Sequence, residues 1–278
     1  MSISHRKRNA LSEGPWRTIP WLNIPKTSKD HLFDILGDVA GLVEDFDNAR
    51  ATVDPQEKEE RLQRVVDDAW GMDGSLTWWK DNFGPGEHAE ELLERGIDDP
   101  SPKDIAVVYI MSHFWSAAIH VYTTLRLALQ GLSLLPFSTP PPPLPDRADP
   151  RIYAKHIIDT ADIFLHPLAG AFGVHAHLPP LATACSYLVA TEVAEEGEDG
   201  QNWAEESPEM TKVFEHLRKD VSGTRLRGFI KSMLRDPRLA AADDGSGIDL
   251  ELMRAAARTS FGMERMEGLE TIIRRHMF

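Results

Sequence analysis

Residues 104–130 read DIAVVYIMSHFWSAAIHVYTTLRLALQ, and no Lys, Arg, Asp or Glu stands between Asp104 and Arg126. Apolar side chains fall on nearly every helical face of this stretch. Ile105, Val108, Trp115, Ala118 and Tyr122 lie near one stripe; Val107, Ile110, Phe114, Ala117, Val121 and Leu125 lie on others. A helix that is apolar all round is either the buried centre of a bundle or a membrane span. The uncharged run is long enough to span. However, His113, His120, Ser112, Ser116, Thr123 and Thr124 interrupt it, the preceding flank is acidic, and no Lys/Arg cluster or second comparable stretch accompanies it. The expectation is a buried central helix over 104–130 and no membrane contact.

The chain around it is helical in period. Thr27 or Ser28 is an N-cap, and Leu32, Phe33, Ile35, Leu36, Val39, Leu42, Val43 and Phe46 follow at helical spacing, with Asp34, Asp38, Glu44 and Asp45 outward. Asp54 and Pro55 open a second helix carrying Leu62, Val65, Val66, Ala69, Trp70, Leu76 and Trp79, with Gly71 and Gly74 as places to kink. A short helix is expected over 87–95 and another over 153–165. The next is opened by Pro179 and Pro180, and further ones cover 209–221, 224–234 and the chain from Asp249 on. Strand patterns are absent. The fold class is therefore all-α, a bundle of about eight to ten helices around the central one. Residues 28–278 read as a single helical domain, with a proline-rich loop at 136–150 that holds seven prolines. Residues 1–27 read as an irregular arm: Pro15, Pro20 and Pro25 oppose a helix, and Trp16, Ile19, Trp21 and Ile24 are expected to pin it to the body.

Charge narrows the function classes. The formal net charge is −14 over 278 residues. That disfavours direct contact with nucleic acid, which draws its affinity from clustered Lys and Arg. The first 30 residues are the exception, with six basic against two acidic residues. Their SHRKR run reads either as a solvated terminus or as a nuclear-import patch. The single cysteine, Cys185, sits in the apolar run LATACSYLV and reads as a core residue. One cysteine forms no internal disulfide and no multi-cysteine zinc cluster. The first 30 residues hold no apolar leader of the signal-peptide kind.

No phosphate loop, GxSxG elbow or HExxH motif is present. The pairs Asp67–Asp68, Asp98–Asp99 and Asp243–Asp244 do not set three carboxylates on one helical face, as a magnesium–diphosphate site needs. His113 and His120 are seven apart and share a face of the central helix; His175 and His177 form an HxH pair near His166. They read as hydrogen-bonded histidines, as an acid–base pair or as metal ligands, and the sequence does not bring the two groups together. No metal and no cofactor is expected. If the aromatic-rich core is incompletely filled, His113, Trp115, Ser116, His120 and Tyr122 would line an apolar ligand pocket; otherwise they are core.

The landmarks in order are GPWRTIPWLNIPKT (14–27), DHLFDILGDVAGLVEDFD (30–47), AWGMDGSLTWWKDNF (69–83), HFWSAAIHVYTTLRLAL (113–129) and YAKHIIDTADIFLHPLAGAFGVHAHLPPLATACSYLV (153–189). Together they resemble the regulatory, or middle homology, region of fungal binuclear zinc-cluster transcription factors. The resemblance covers about residues 14–235 and rests on apolar patterns with Trp and Pro landmarks. The family's six-cysteine cluster, which binds zinc and contacts DNA, is missing. The resemblance implies a helical effector domain, a fungal source and a nuclear location, with a cytoplasmic one otherwise. It also implies action through protein partners or a small apolar effector, without direct DNA contact. A homo-oligomer is compatible with it. The expectation is a stand-alone regulatory or interaction domain, not an enzyme. The alternative is an enzyme or small-molecule-binding protein of secondary metabolism that uses the aromatic-lined core.

Overall fold

The computed structural model describes residues 6–191 apart from 9, 86, 97–98, 137–142, 171–172 and 174–175. Helix accounts for 83% of what it describes and no residue there is in a strand, so the class is all-α. Seven α-helices are described: α1 Gly14–Thr18, α2 Ser28–Ala51, α3 Pro55–Phe83, α4 Glu87–Arg95, α5 Pro102–Ser133, α6 Pro150–Thr160 and α7 Leu178–Thr191. The helices expected over 209–221, 224–234 and beyond 249 lie outside the described residues, as does most of the polyproline run.

The long helices begin where local chemistry starts them. Thr27 caps α2: its hydroxyl accepts from the Asp30 amide, and the Asp30 carboxylate accepts from the Thr27 amide at 2.8 Å. The Asp54 carboxylate accepts from the Glu57 amide at 2.8 Å, and Pro55 takes the first turn of α3, where no amide is needed. Ser101 and Asp104 repeat the reciprocal pattern at the start of α5. Gly71 and Gly74 do not interrupt α3, which runs unbroken through both. The expected helix over 153–165 is α6 followed by a 3₁₀ stretch, Ala161–Leu165.

The chain divides into two compact units. The first holds residues 1–90 and 113–150; the second holds 91–112 and 151–278. In the first, α2 and α3 form an antiparallel hairpin with three residues between them. The Trp79 indole N–H donates to the Ser28 carbonyl at 2.7 Å and ties the open ends together. Leu32, Val39, Leu42, Phe46, Leu62, Ala69, Leu76 and Trp79 make the buried seam. Trp79 stacks on Phe114 of α5, with ring centres 5.4 Å apart. Nearly every residue of α5 between 104 and 128 is buried. Among the described residues it is the one helix long and apolar enough to cross a membrane, and most of that stretch is buried within the protein.

The second unit buries Leu92, Ile105, Val108, Ile157, Phe164, Leu181, Ala184 and Leu188. His177 stacks on Phe164 at 5.3 Å and its Nδ1 is paired with the Gly173 carbonyl. Cys185 is buried as expected, and burial pushes its thiol up to about 12.

The arm differs from expectation in two ways. It is not irregular throughout: α1 forms because Pro15 lies in its first turn, where a missing N–H is harmless, and a 3₁₀ turn Ile19–Trp21 follows. Nor do most of the side chains expected to pin it do so: Trp16 is 56% exposed, Ile19 62% and Ile24 64%, and Trp21 alone of the four is half-buried; Leu22 is 75% exposed. Charge holds it instead. Arg6 grips Asp47 with two hydrogen bonds of 2.7 Å, Lys7 reaches Glu44 at 3.1 Å, and Arg8 pairs with Asp45 at 2.6 Å while its amide donates to Glu44. Arg17 pairs with Asp38, and Lys26 with Asp34. The basic run is thus paired with the acidic face of α2, with Lys7 and Arg8 still exposed to solvent. Gly41 makes room for it, since a Cβ there would meet the Arg8 guanidinium at 3.0 Å.

Candidate functional site: the groove between α2 and α3

Two stripes at helical spacing face each other across the outer side of the α2–α3 hairpin. His31, Asp34, Ile35 and Asp38 come from α2; Gly71, Gly74, Ser75 and Trp78 come from α3. The antiparallel register opposes His31 to Trp78, which meet edge to face at 5.9 Å. With Arg17 of α1, these residues enclose a cavity of about 410 Å³. Such a volume suits a small ligand or a few side chains.

The walls are held in place. His31 stacks on Phe83 at 4.7 Å, and Phe83 in turn meets Trp78 at 5.2 Å, so the half-exposed Trp78 indole is a fixed platform. Arg17 lies against the α2 wall, donating to the Asp34 carbonyl at 3.2 Å and pairing with the Asp38 carboxylate. The floor is open: a Cβ added at Gly71 or Gly74 would meet nothing within 4 Å. Chemically the groove offers aromatic faces, carboxylates and an arginine. Among its described lining residues, the Ser75 hydroxyl donates to the Gly71 carbonyl at 3.1 Å and is not paired with a base.

The residues singled out from sequence all sit on α5, and the structure gives most of them packing partners. His113 is buried and stacks on Phe33 at 5.4 Å. Trp115 and Ser116 are buried. Tyr122 is buried, and its hydroxyl donates to the Asp73 carboxylate at 2.7 Å. His120 keeps some accessible surface, yet burial first and the nearby positive charge of Arg6 second push it down to about 4, so it is neutral at pH 7. None of these five lines the α2–α3 groove. His175 lies outside the described residues, and among those described no group of three or more His, Cys, Asp or Glu could hold a metal ion.

Sequence reasoning passed over two features. One is Asp73, 6% exposed, which receives Tyr122 and also a two-point contact from Arg147 at 3.0 and 3.1 Å. The signal was there: Asp73 falls in step with the apolar stripe Leu62, Val66, Ala69, Leu76. The other is the groove itself. Its signal was a pair of glycines on the polar face of an amphipathic helix, where they serve no core packing.

No protein-family model, curated protein or solved structure matches this chain. What the described residues define is an all-α chain with an open groove between α2 and α3.

Proposed function

We propose that this chain is a regulatory or interaction domain of the kind found in fungal zinc-cluster transcription factors, acting through partners and not through its own contact with DNA. The observation that carries the reading is where chemistry-bearing residues sit. On α5, His113 and Tyr122 are engaged in packing and hydrogen bonding; the open, charged and aromatic groove lies on the outer side of α2 and α3. Recognition at a surface fits that layout better than turnover in a core. The pattern supports a bundle completed to about eight to ten helices by those read beyond residue 208. A nuclear location belongs to this reading through the resemblance alone, because the basic run Arg6–Arg8 is paired with α2.

The test has two arms. Fused to a heterologous DNA-binding domain, the chain is expected to change transcription from a reporter carrying that domain's site. Purified alone, it is expected to show only weak, salt-sensitive binding to duplex DNA. Tight, sequence-specific DNA binding by the isolated chain would refute the reading.

A further inference from the structure

We infer that the α2–α3 groove receives a basic amphipathic helix from a partner protein; this rests on the reading of the chain as an interaction domain and names the partner's chemistry. Four features point the same way.

The floor comes first. Glycine inside a helix is destabilising relative to alanine. Gly71 and Gly74 sit one turn apart in the middle of α3, and neither is among the described glycines with positive φ. A Cβ at either would meet nothing. Among the described residues, neither backbone conformation nor packing therefore asks for glycine there. What the pair supplies is a shallow path along which another backbone can approach closely.

The second feature is apolar surface. Trp78 is 50% exposed beside this floor, fixed by His31 and Phe83. The arm adjoins it through Arg17 and turns Trp16, Ile19, Leu22 and Ile24 outward. Exposed apolar groups concentrated in one segment and rimmed by charge mark an association surface.

Charge fixes the sign of the occupant. Residues 28–83 hold fourteen Asp and Glu against six Lys and Arg, a formal −8. Asp34, Asp38, Glu44, Asp45 and Asp47 are paired with cations of the arm and Asp73 with Arg147, which leaves −2. Asp67, Asp68 and Asp81 are exposed and continue the Gly71–Trp78 stripe of α3 at both ends. A partner with Lys or Arg flanking its apolar stripe meets carboxylates there; an acidic one is repelled.

Shape is the fourth. The two stripes run parallel to the axes of long helices, forming a trough and not a round hole. An amphipathic helix laid along such a trough is a common mode of recognition.

Fluorescence anisotropy of labelled peptides with the full chain, in about 0.15 M salt, tests this. Three peptides are used: a Leu/Lys amphipathic helix, its Leu/Glu counterpart, and a Leu/Lys peptide scrambled to lose its apolar face. The first is expected to bind roughly tenfold or more tightly than the others. The double variant Gly71→Leu/Gly74→Leu fills the floor while improving helix propensity; it is expected to keep or raise Tm and to lose that affinity. Trp78→Ala, at a half-exposed site, is expected to weaken binding likewise and serves if the double variant misfolds. Equal binding of amphipathic and scrambled peptides overturns the proposal, as does undiminished affinity in both variants. Specific DNA binding by the chain would end the regulatory reading and leave the peptide result standing.

Discussion

Asp73 occupies a position that the seam of α3 would otherwise give to an apolar residue, and it is tolerable only because two donors converge on it. A buried carboxylate without partners is strongly unfavourable. Asp73→Ala leaves the Tyr122 hydroxyl and the Arg147 guanidinium facing each other with no acceptor between them. The expected loss is about 2–3 kcal/mol, below the full value for a buried pair because Arg147 is itself half exposed. Tyr122→Phe removes one charge-assisted hydrogen bond and is expected to lose about 1.5 kcal/mol. Urea unfolding of both single variants and the double variant measures the coupling; additive losses would show that the contact contributes nothing specific. His120 sets a pH dependence. Its folded value of about 4 lies below the ordinary histidine range near 6.5, so the unfolded chain takes the proton first. The stabilisation is fully present above about 6.5 and is lost as pH falls through that value toward 4. His120→Gln is expected to flatten the stability–pH curve in that window. A curve of unchanged slope would show that another group titrates there. Glu44, held low by the Arg8 amide and then by Lys7, adds its own loss only at more acid pH.

Among the elements, α3 and the arm make contrasting predictions. Gly71→Ala and Gly74→Ala should each stabilise by about 1 kcal/mol, read as a rise in Tm, because the new methyl meets open space and the helix gains propensity. Gly173→Ala should do the reverse, since its Cβ would collide with the Phe164 carbonyl oxygen. Equal effects at the two kinds of site would contradict the described packing. The arm is fastened by ion pairs, by the Arg8 amide on Glu44 and by Arg17 on the Asp34 carbonyl; the exposed pairs, Lys7–Glu44 and Arg8–Asp45, are each worth at most about 1 kcal/mol and are screened by salt. Trypsin is therefore expected to cleave after Arg8 and Arg17 faster as salt is raised, and Asp47→Asn should hasten cleavage at low salt. An arm held by its aromatics would become more resistant with salt, not less.

For the whole molecule, the sequence made helices legible and contacts not. The starts of α2, α3 and α5 were readable because each carries its own cap within four residues: Thr27 with Asp30, Asp54 with Pro55, Ser101 with Asp104. That α5 would be buried followed from its uncharged length. What its side chains meet did not: Phe33 and Asp73 lie 80 and 49 positions away from His113 and Tyr122. The arm misled for a physical reason. Its tryptophans and isoleucines argue for burial on hydrophobicity alone, but its face toward α2 is chosen by five basic residues finding carboxylates in register. The groove was hidden because it belongs to neither helix; it exists only where the antiparallel register brings His31 opposite Trp78.

That hairpin also governs the order of events during folding. With three residues between α2 and α3, their partners are near in sequence by comparison with those of α5. Local contacts form faster than distant ones. Residues 28–83 leave the ribosome before 113–133, so Trp79 emerges ahead of its partner Phe114. Pulse-labelled amide exchange during refolding is expected to protect α2 and α3 before α5. Simultaneous protection of all three would mean that the hairpin has no stability until α5 covers its seam.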